Sequence, residues 1–298
     1  MNAASPTLAQ QAGIRRLLPA MRALLIAFAV LTSMAVVALF VMAGSTDEVF
    51  AWTILPPLTA AFLGAGYAAG FVLVVLSLRD PVWAHSRVAV LTILAFVVLT
   101  LVATLVHIDR FHFQDEFAGL PLLAKAAAWF WLSVYVVVPV AMLVALRMQE
   151  RAPGRDPEPR HPVPGVLRTL LAAESAVLLV VGIALYAAPS TATTLWPWPL
   201  TPLTARVTAA WLIAFGLATA LAAIAGDLRR LRTATIAYTV FGVLVAVAVA
   251  RFASTIDWDN PAAWVFSAVV LAVIATGAAG WRAAPTPRTG LHAEAPHA

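Results

Sequence analysis

Eight long apolar runs alternate with short polar stretches along this chain, and inside the runs polarity does not alternate from one residue to the next. The runs cover residues 23–43, 58–78, 88–107, 126–146, 169–188, 207–226, 235–251 and 262–281, the seventh being the shortest. A helix rising 1.5 Å per residue needs about 20 apolar residues to cross roughly 30 Å of hydrocarbon, which is what most of the runs supply. A closed barrel also satisfies every backbone group in lipid, but its strands of about ten residues alternate in polarity. The expected fold class is therefore all-α: a polytopic membrane helix bundle of eight transmembrane helices. Arg15, Arg16 and Arg22 precede the first run, and Val41-Met42-Ala43 resembles a signal cleavage site. Its 21 residues exceed the roughly 7 to 15 of a signal core, so an uncleaved first helix is expected.

Composition agrees: 62% of residues are apolar and 11% charged, against about 45 to 50% and 25% in soluble domains. With no cysteine, the chain has no disulfide, thiolate metal site or cysteine nucleophile. A net charge of +5 raises nucleic acid as a partner, but the arginines sit in the connections between runs and report membrane orientation instead. With the N-terminus inside, the inner segments carry 15 Lys/Arg and the outer loops four, Arg110, Lys125, Arg206 and Arg251. Both termini are thus expected in the cytoplasm (N-in/C-in), and the outer loops are net acidic. Trp52, Trp129, Trp131, Trp196, Trp198, Trp258 and Trp264 fall near the outer boundary, the pattern of an interfacial aromatic belt, while Trp83 and Trp281 mark the inner one.

A shift of 145 residues brings Pro57-Leu58-Thr59-Ala60 onto Pro202-Leu203-Thr204-Ala205, each at the start of an even-numbered run. Leu55 then falls on Leu200, Arg87 on Arg232 and Phe96 on Phe241, and a shorter loop aligns Ala127-Ala128-Trp129 with Ala262-Ala263-Trp264. Two four-helix repeats with an even number of spans enter the membrane the same way, as in parallel-repeat transporters. The expected organisation is an N-tail at 1–22, a first half at 23–146, a linker at 147–168, a second half at 169–281 and a disordered C-tail at 282–298. The linker holds five prolines, which favour an extended, solvated tether. Gly66-Tyr67-Ala68-Ala69-Gly70 and Gly242/Ala246/Ala250 are small-residue stripes that let helices approach closely, with partners left open.

Standard catalytic signatures are missing: there is no phosphate-binding G-x-x-x-x-G-K-[ST], no H-E-x-x-H and no G-x-S-x-G. No cofactor is implied. Three weaker candidates remain. Glu174 is the one acid inside an expected span; it reads as a proton or cation site, or as a neutral acid bonded to a neighbouring helix. Thr100, Thr104 and His107 fall on one helical face and extend this intramembrane polar set, although threonines also bond the preceding turn. If the loop after the third run stays helical, Asp109, His112 and Glu116 share a face and form a possible metal site. The competing reading is a solvated interfacial segment. At the outer start of the sixth span, free amides near Thr204 and the guanidinium of Arg206 suggest an anion site; the alternative pairs Arg206 with Asp257 or Asp259, or lets it snorkel to headgroups.

The stretch Leu195-Trp196-Pro197-Trp198-Pro199-Leu200-Thr201-Pro202-Leu203-Thr204-Ala205-Arg206 resembles uncharacterised multi-pass membrane proteins of high-GC Gram-positive bacteria, and one lysine against eighteen arginines suits such an origin. The resemblance implies a plasma-membrane location and carries no activity. The leading expectation is a transporter-like permease for a small or lipophilic molecule. Its rivals are a non-catalytic subunit of a membrane complex with protein partners and an intramembrane enzyme acting on lipid. A cavity between the halves, reached by Glu174 or by the threonine stripe, separates the first from the second.

Overall fold

The computed structural model describes residues 13–285, and among them eight helices are long and apolar enough to cross a membrane. They are α1 (Pro19–Val36, continued by a wider turn at Val37–Val41), α2 (Pro57–Arg79), α3 (Trp83–Val106), α4 (Leu122–Glu150), α5 (Gly165–Ala187), α6 (Pro202–Ala225), α7 (Leu228–Arg251) and α8 (Pro261–Ala283). Each apolar run falls on one helix, and no strand occurs among the described residues beyond three isolated bridges. The chain fits an integral multi-pass membrane protein, and its solvent is the bilayer. Residues 1–12 and 286–298 lie outside the described residues, and with them most of both expected tails.

Proline opens α1, α2, α6 and α8, where its missing N–H has no intrahelical partner to lose. Pro57-Leu58-Thr59-Ala60 and Pro202-Leu203-Thr204-Ala205 accordingly start α2 and α6. α7 begins ahead of its apolar run because Asp227 caps it, accepting from the N–H groups of Arg229 and Arg230.

The helices centre on α2, α3, α6 and α7: α2 packs on α7 and α3 on α6, while α1, α4, α5 and α8 lie against α2, α3, α6 and α7 in turn. Composition explains the division. The first half of α2 buries every residue from Leu58 to Gly70, small ones for the most part, whereas α1 fully buries only a single stripe of Met21, Leu25, Phe28 and Thr32. Glycines mark the closest approaches: a Cβ on Gly66 would stand 2.7 Å from the Trp211 ring, and one on Gly64 2.6 Å from the Phe40 nitrogen. The stripe at Gly242 faces α8, where Ile274 leaves no room for a side chain.

The connections α2/α3, α4/α5 and α6/α7 gather at what we term the linker end, and the other four at the loop end. Because α4 runs to Glu150 and α5 starts at Gly165, the linker shrinks to 151–164. It is extended, as its prolines require, and none of its residues is buried, but hydrogen bonds to neighbouring segments anchor it rather than leave it a free tether. Arg155 N–H donates to Gly13 O at 3.0 Å, Val163 N–H to Gly226 O at 3.1 Å, and His161 O accepts from Leu228 N–H at 2.8 Å. The buried Asp227 carboxylate also accepts from the N–H groups of Arg160 at 2.7 Å and His161 at 3.2 Å. Burial opposes its charge, but the four N–H donors prevail and hold the carboxyl below its ordinary range. Nearby, Glu150 accepts from Arg15, Arg87 and Trp83, and Arg87 also reaches Asp156 at 2.6 Å.

The tryptophans depart from the expected belt. Trp129, Trp258 and Trp264 are exposed, but Trp52, Trp131, Trp196 and Trp198 are buried. Trp52 and Trp131 pack with Phe50 over the first half, and Trp196 and Trp198 with Phe62 and Phe266 over the second. Loop-end connections fold inward and use indoles as filling.

Candidate functional site

A cavity of about 410 Å³ lies among the helices, lined by residues of both sequence halves. Its size falls within the range of small-molecule sites, roughly 300 to 1,000 Å³. Carbon dominates the wall: Phe28, Leu31 and Ala35 of α1, Leu73 and Val74 of α2, Ile93 and Phe96 of α3, Trp211 and Phe215 of α6. Met34 of α1 and Leu123, Ala126 and Phe130 of α4 are exposed lining residues, so the cavity opens sideways between the loop-end halves of α1 and α4. At the far side it meets Leu171, Thr235, Tyr238 and Thr276 of α5, α7 and α8. Polar tips are few. The Tyr67 and Tyr135 hydroxyls bond each other at 2.6 Å, and the Trp211 indole N–H, buried in the wall, has no acceptor among the described residues.

Glu174 stands directly behind the far side. It is 9% exposed, roughly 13 Å along α5 from Gly165 at 1.5 Å per residue. Both carboxylate oxygens are engaged: Thr276 donates to Oε1 at 2.6 Å and Tyr238 to Oε2 at 3.1 Å. These two donors line the cavity. The acid faces other helices, since a lipid-facing carboxylate is costly at this depth.

The rest of the intramembrane polar set separates from it. The Thr104 hydroxyl donates to Thr100 O one turn back at 2.8 Å and accepts the Trp131 indole N–H at 3.0 Å, while the buried Thr100 hydroxyl finds no partner among the described residues. His107, just past α3, turns instead to α6: the Arg206 guanidinium donates to its Nε2 at 2.6 Å. This contact requires a neutral ring, and burial first, then the Arg206 charge, lower the His107 pKa. Arg206 thus pairs with neither Asp257 nor Asp259, which the sequence offered as its partners. The Thr204 hydroxyl is engaged in a capping box with Thr201, so the Thr201 and Thr204 amides at this helix start are satisfied by the chain itself. In the first half the matching Thr59 accepts from the Trp198 indole at 2.9 Å.

The Asp109, His112 and Glu116 set does not assemble. The loop breaks into short turns at Ile108–Arg110 and Asp115–Phe117, so no common helical face exists. Asp109 pairs with the adjacent Arg110 at 2.9 Å. His112 is fully buried; its Nδ1 donates to Phe50 O at 2.9 Å and its Nε2 accepts from the Thr53 hydroxyl at 3.0 Å. Both nitrogens bolt one loop to another, and burial holds the ring neutral by lowering its pKa. Among the described residues no three His, Cys, Asp or Glu side chains are placed to hold a metal ion.

Residues that pattern reading passed over, Tyr67, Tyr135, Trp211, Tyr238 and Thr276, turn out to line the cavity. The tyrosines carried a signal, since a phenol in the middle of an apolar span needs a partner for its hydroxyl. Compared with known protein families, characterised proteins and solved structures, the chain matches none.

Proposed function

We propose that this chain is a transporter-like permease for a small lipophilic molecule, which it takes up through the gap between α1 and α4. The cavity carries this reading: it is apolar, of ligand size, and faces the bilayer. Binding of the uncharged dye Nile red to protein in lipid nanodiscs tests it, with empty nanodiscs as the blank. Saturable binding is expected, and Ala214→Phe, which places a phenyl ring in the cavity from a buried wall position, should weaken it at least about tenfold. Unchanged affinity in a folded variant would remove the cavity from the mechanism. Movement of dye between proteoliposome leaflets then separates carriage from mere binding.

The halves are read as parallel repeats, supported by the 145-residue correspondence and by equivalent pairings: α1 with α2 as α5 with α6, α3 with α4 as α7 with α8, and α2 with α7 as α6 with α3. The linker end is assigned to the cytoplasm of a bacterial plasma membrane on its 15 of 19 basic residues. In this cysteine-free chain, single cysteines at Gly119 and Ser190 should react with an impermeant thiol reagent in intact cells, while cysteines at Ala3, Pro159 and Ala293 should not. Gly154 is unsuitable for this purpose, since its φ is 112° and a Cβ would meet Gly13 O at 2.7 Å. Labelling at position 159 would reverse the assignment.

A further inference from the structure

We infer that the ligand is a lipophilic cation, held by the aromatic wall of the cavity and by the Glu174 carboxylate behind it; this rests on the permease reading above. Charge argues first. No Lys, Arg or His lines the cavity, whereas an acid stands one side chain behind its far wall. Two hydroxyls donate to that acid, one to each oxygen, and burial opposes its charge, which a positive ligand at the wall would favour. Among the described residues no basic side chain pairs with it. In so apolar a surrounding the carboxylate field is weakly screened and favours a positive ligand over a negative one.

Aromatic geometry argues independently. Trp211 stacks on Phe96 at 3.8 Å, meets Tyr67 edge-on at 5.2 Å and continues through Phe215 at 5.6 Å to Tyr238 at 6.0 Å. This file of rings leads along the wall from the first half to the hydroxyl that touches Glu174. Phe96 and Phe215 stack on Trp211, and ring face left open at the wall attracts organic cations, most strongly where water is excluded. A small metal cation would need several oxygen ligands converging on one point, and the polar tips here are scattered along an otherwise carbon wall. A bulky organic cation with delocalised or alkylated charge matches both the acid and the rings.

Tetraphenylphosphonium and tetraphenylborate, alike in shape and opposite in charge, give the test. Each is titrated against Nile red bound to the unmodified protein in nanodiscs, with partition into empty nanodiscs subtracted. The cation should displace the dye at a concentration about tenfold or more below that of the anion. In Glu174→Gln, which keeps size and one acceptor oxygen but carries no charge, that ratio should fall to within about threefold. Equal displacement by the two ions on the unmodified protein overturns the cation assignment while leaving the cavity reading standing; absence of saturable dye binding overturns both. A folded Glu174→Gln variant that keeps the full ratio overturns the role of the acid. Should that variant fail to fold, the comparison on the unmodified protein decides by itself.

Discussion

Replacing Asp227 with alanine should destabilise the protein more than any other change at the linker end. The carboxylate serves four backbone N–H groups, two that begin α7 and two in the linker. Loss of a cap costs about 0.5 to 2 kcal/mol and each part-buried bond from the linker to the carboxylate about 1 kcal/mol, so a loss of roughly 3 kcal/mol is expected. Asparagine, which keeps one acceptor oxygen, should fall between. Because the carboxyl is held below its usual range, its contribution is complete above the ordinary carboxylate pKa and disappears as pH falls through the lowered value. Thermal unfolding of the purified protein at neutral pH decides the matter; a midpoint for Asp227→Ala equal to that of the unmodified chain would mean that the linker is held by other contacts.

The second large effect is expected in mid-membrane, at Gly66. Any side chain there meets the Trp211 ring, with the Cβ itself at 2.7 Å. Alanine should cost roughly 1 to 3 kcal/mol by overpacking and leucine more. The size of the partner offers a check: Trp211→Leu, harmful alone because it empties part of the cavity wall, should tolerate Gly66→Ala far better than the unmodified chain does. Additive losses in the double variant would show that the clash lies elsewhere.

The eight helices were legible because an apolar run of that length has one physical solution in lipid, and Pro57 and Pro202 do stand in first turns as read, while Pro19 and Pro261, which open helices in the same way, were not singled out. Their ends were less so. Charged residues such as Glu150 and Arg229 ride on the helices beyond the apolar runs, where hydropathy gives no reason to extend them. The anchoring of the linker escaped because most of its partners are backbone groups, of Gly13, Gly226 and Leu228, which leave no mark in side-chain pattern, and the one carboxylate that joins them, Asp227, reads equally well as a helix cap alone. Glu174 was recognisable as an acid out of place, yet its two hydroxyl donors come from α7 and α8 at separations no periodicity connects. His107 and Arg206 were noticed separately, one for a polar stripe and one for an anion site, and only the packing of α3 on α6 joins them. The metal set depended on a continued helix, and the loop broke it.

On the permease reading proposed above, the sideways opening between α1 and α4 also determines what an affinity for this protein means. A ligand that enters there arrives from the acyl-chain region, so the concentration the site experiences is that of the dissolved ligand in lipid, multiplied far above the aqueous value for a lipophilic compound. Apparent dissociation constants referred to water will therefore track the lipid–water partition coefficient across a series, even where the contacts inside the cavity are the same. Selectivity is legible only after that coefficient is divided out, and a weak intrinsic grip suffices for high occupancy while still permitting rapid release.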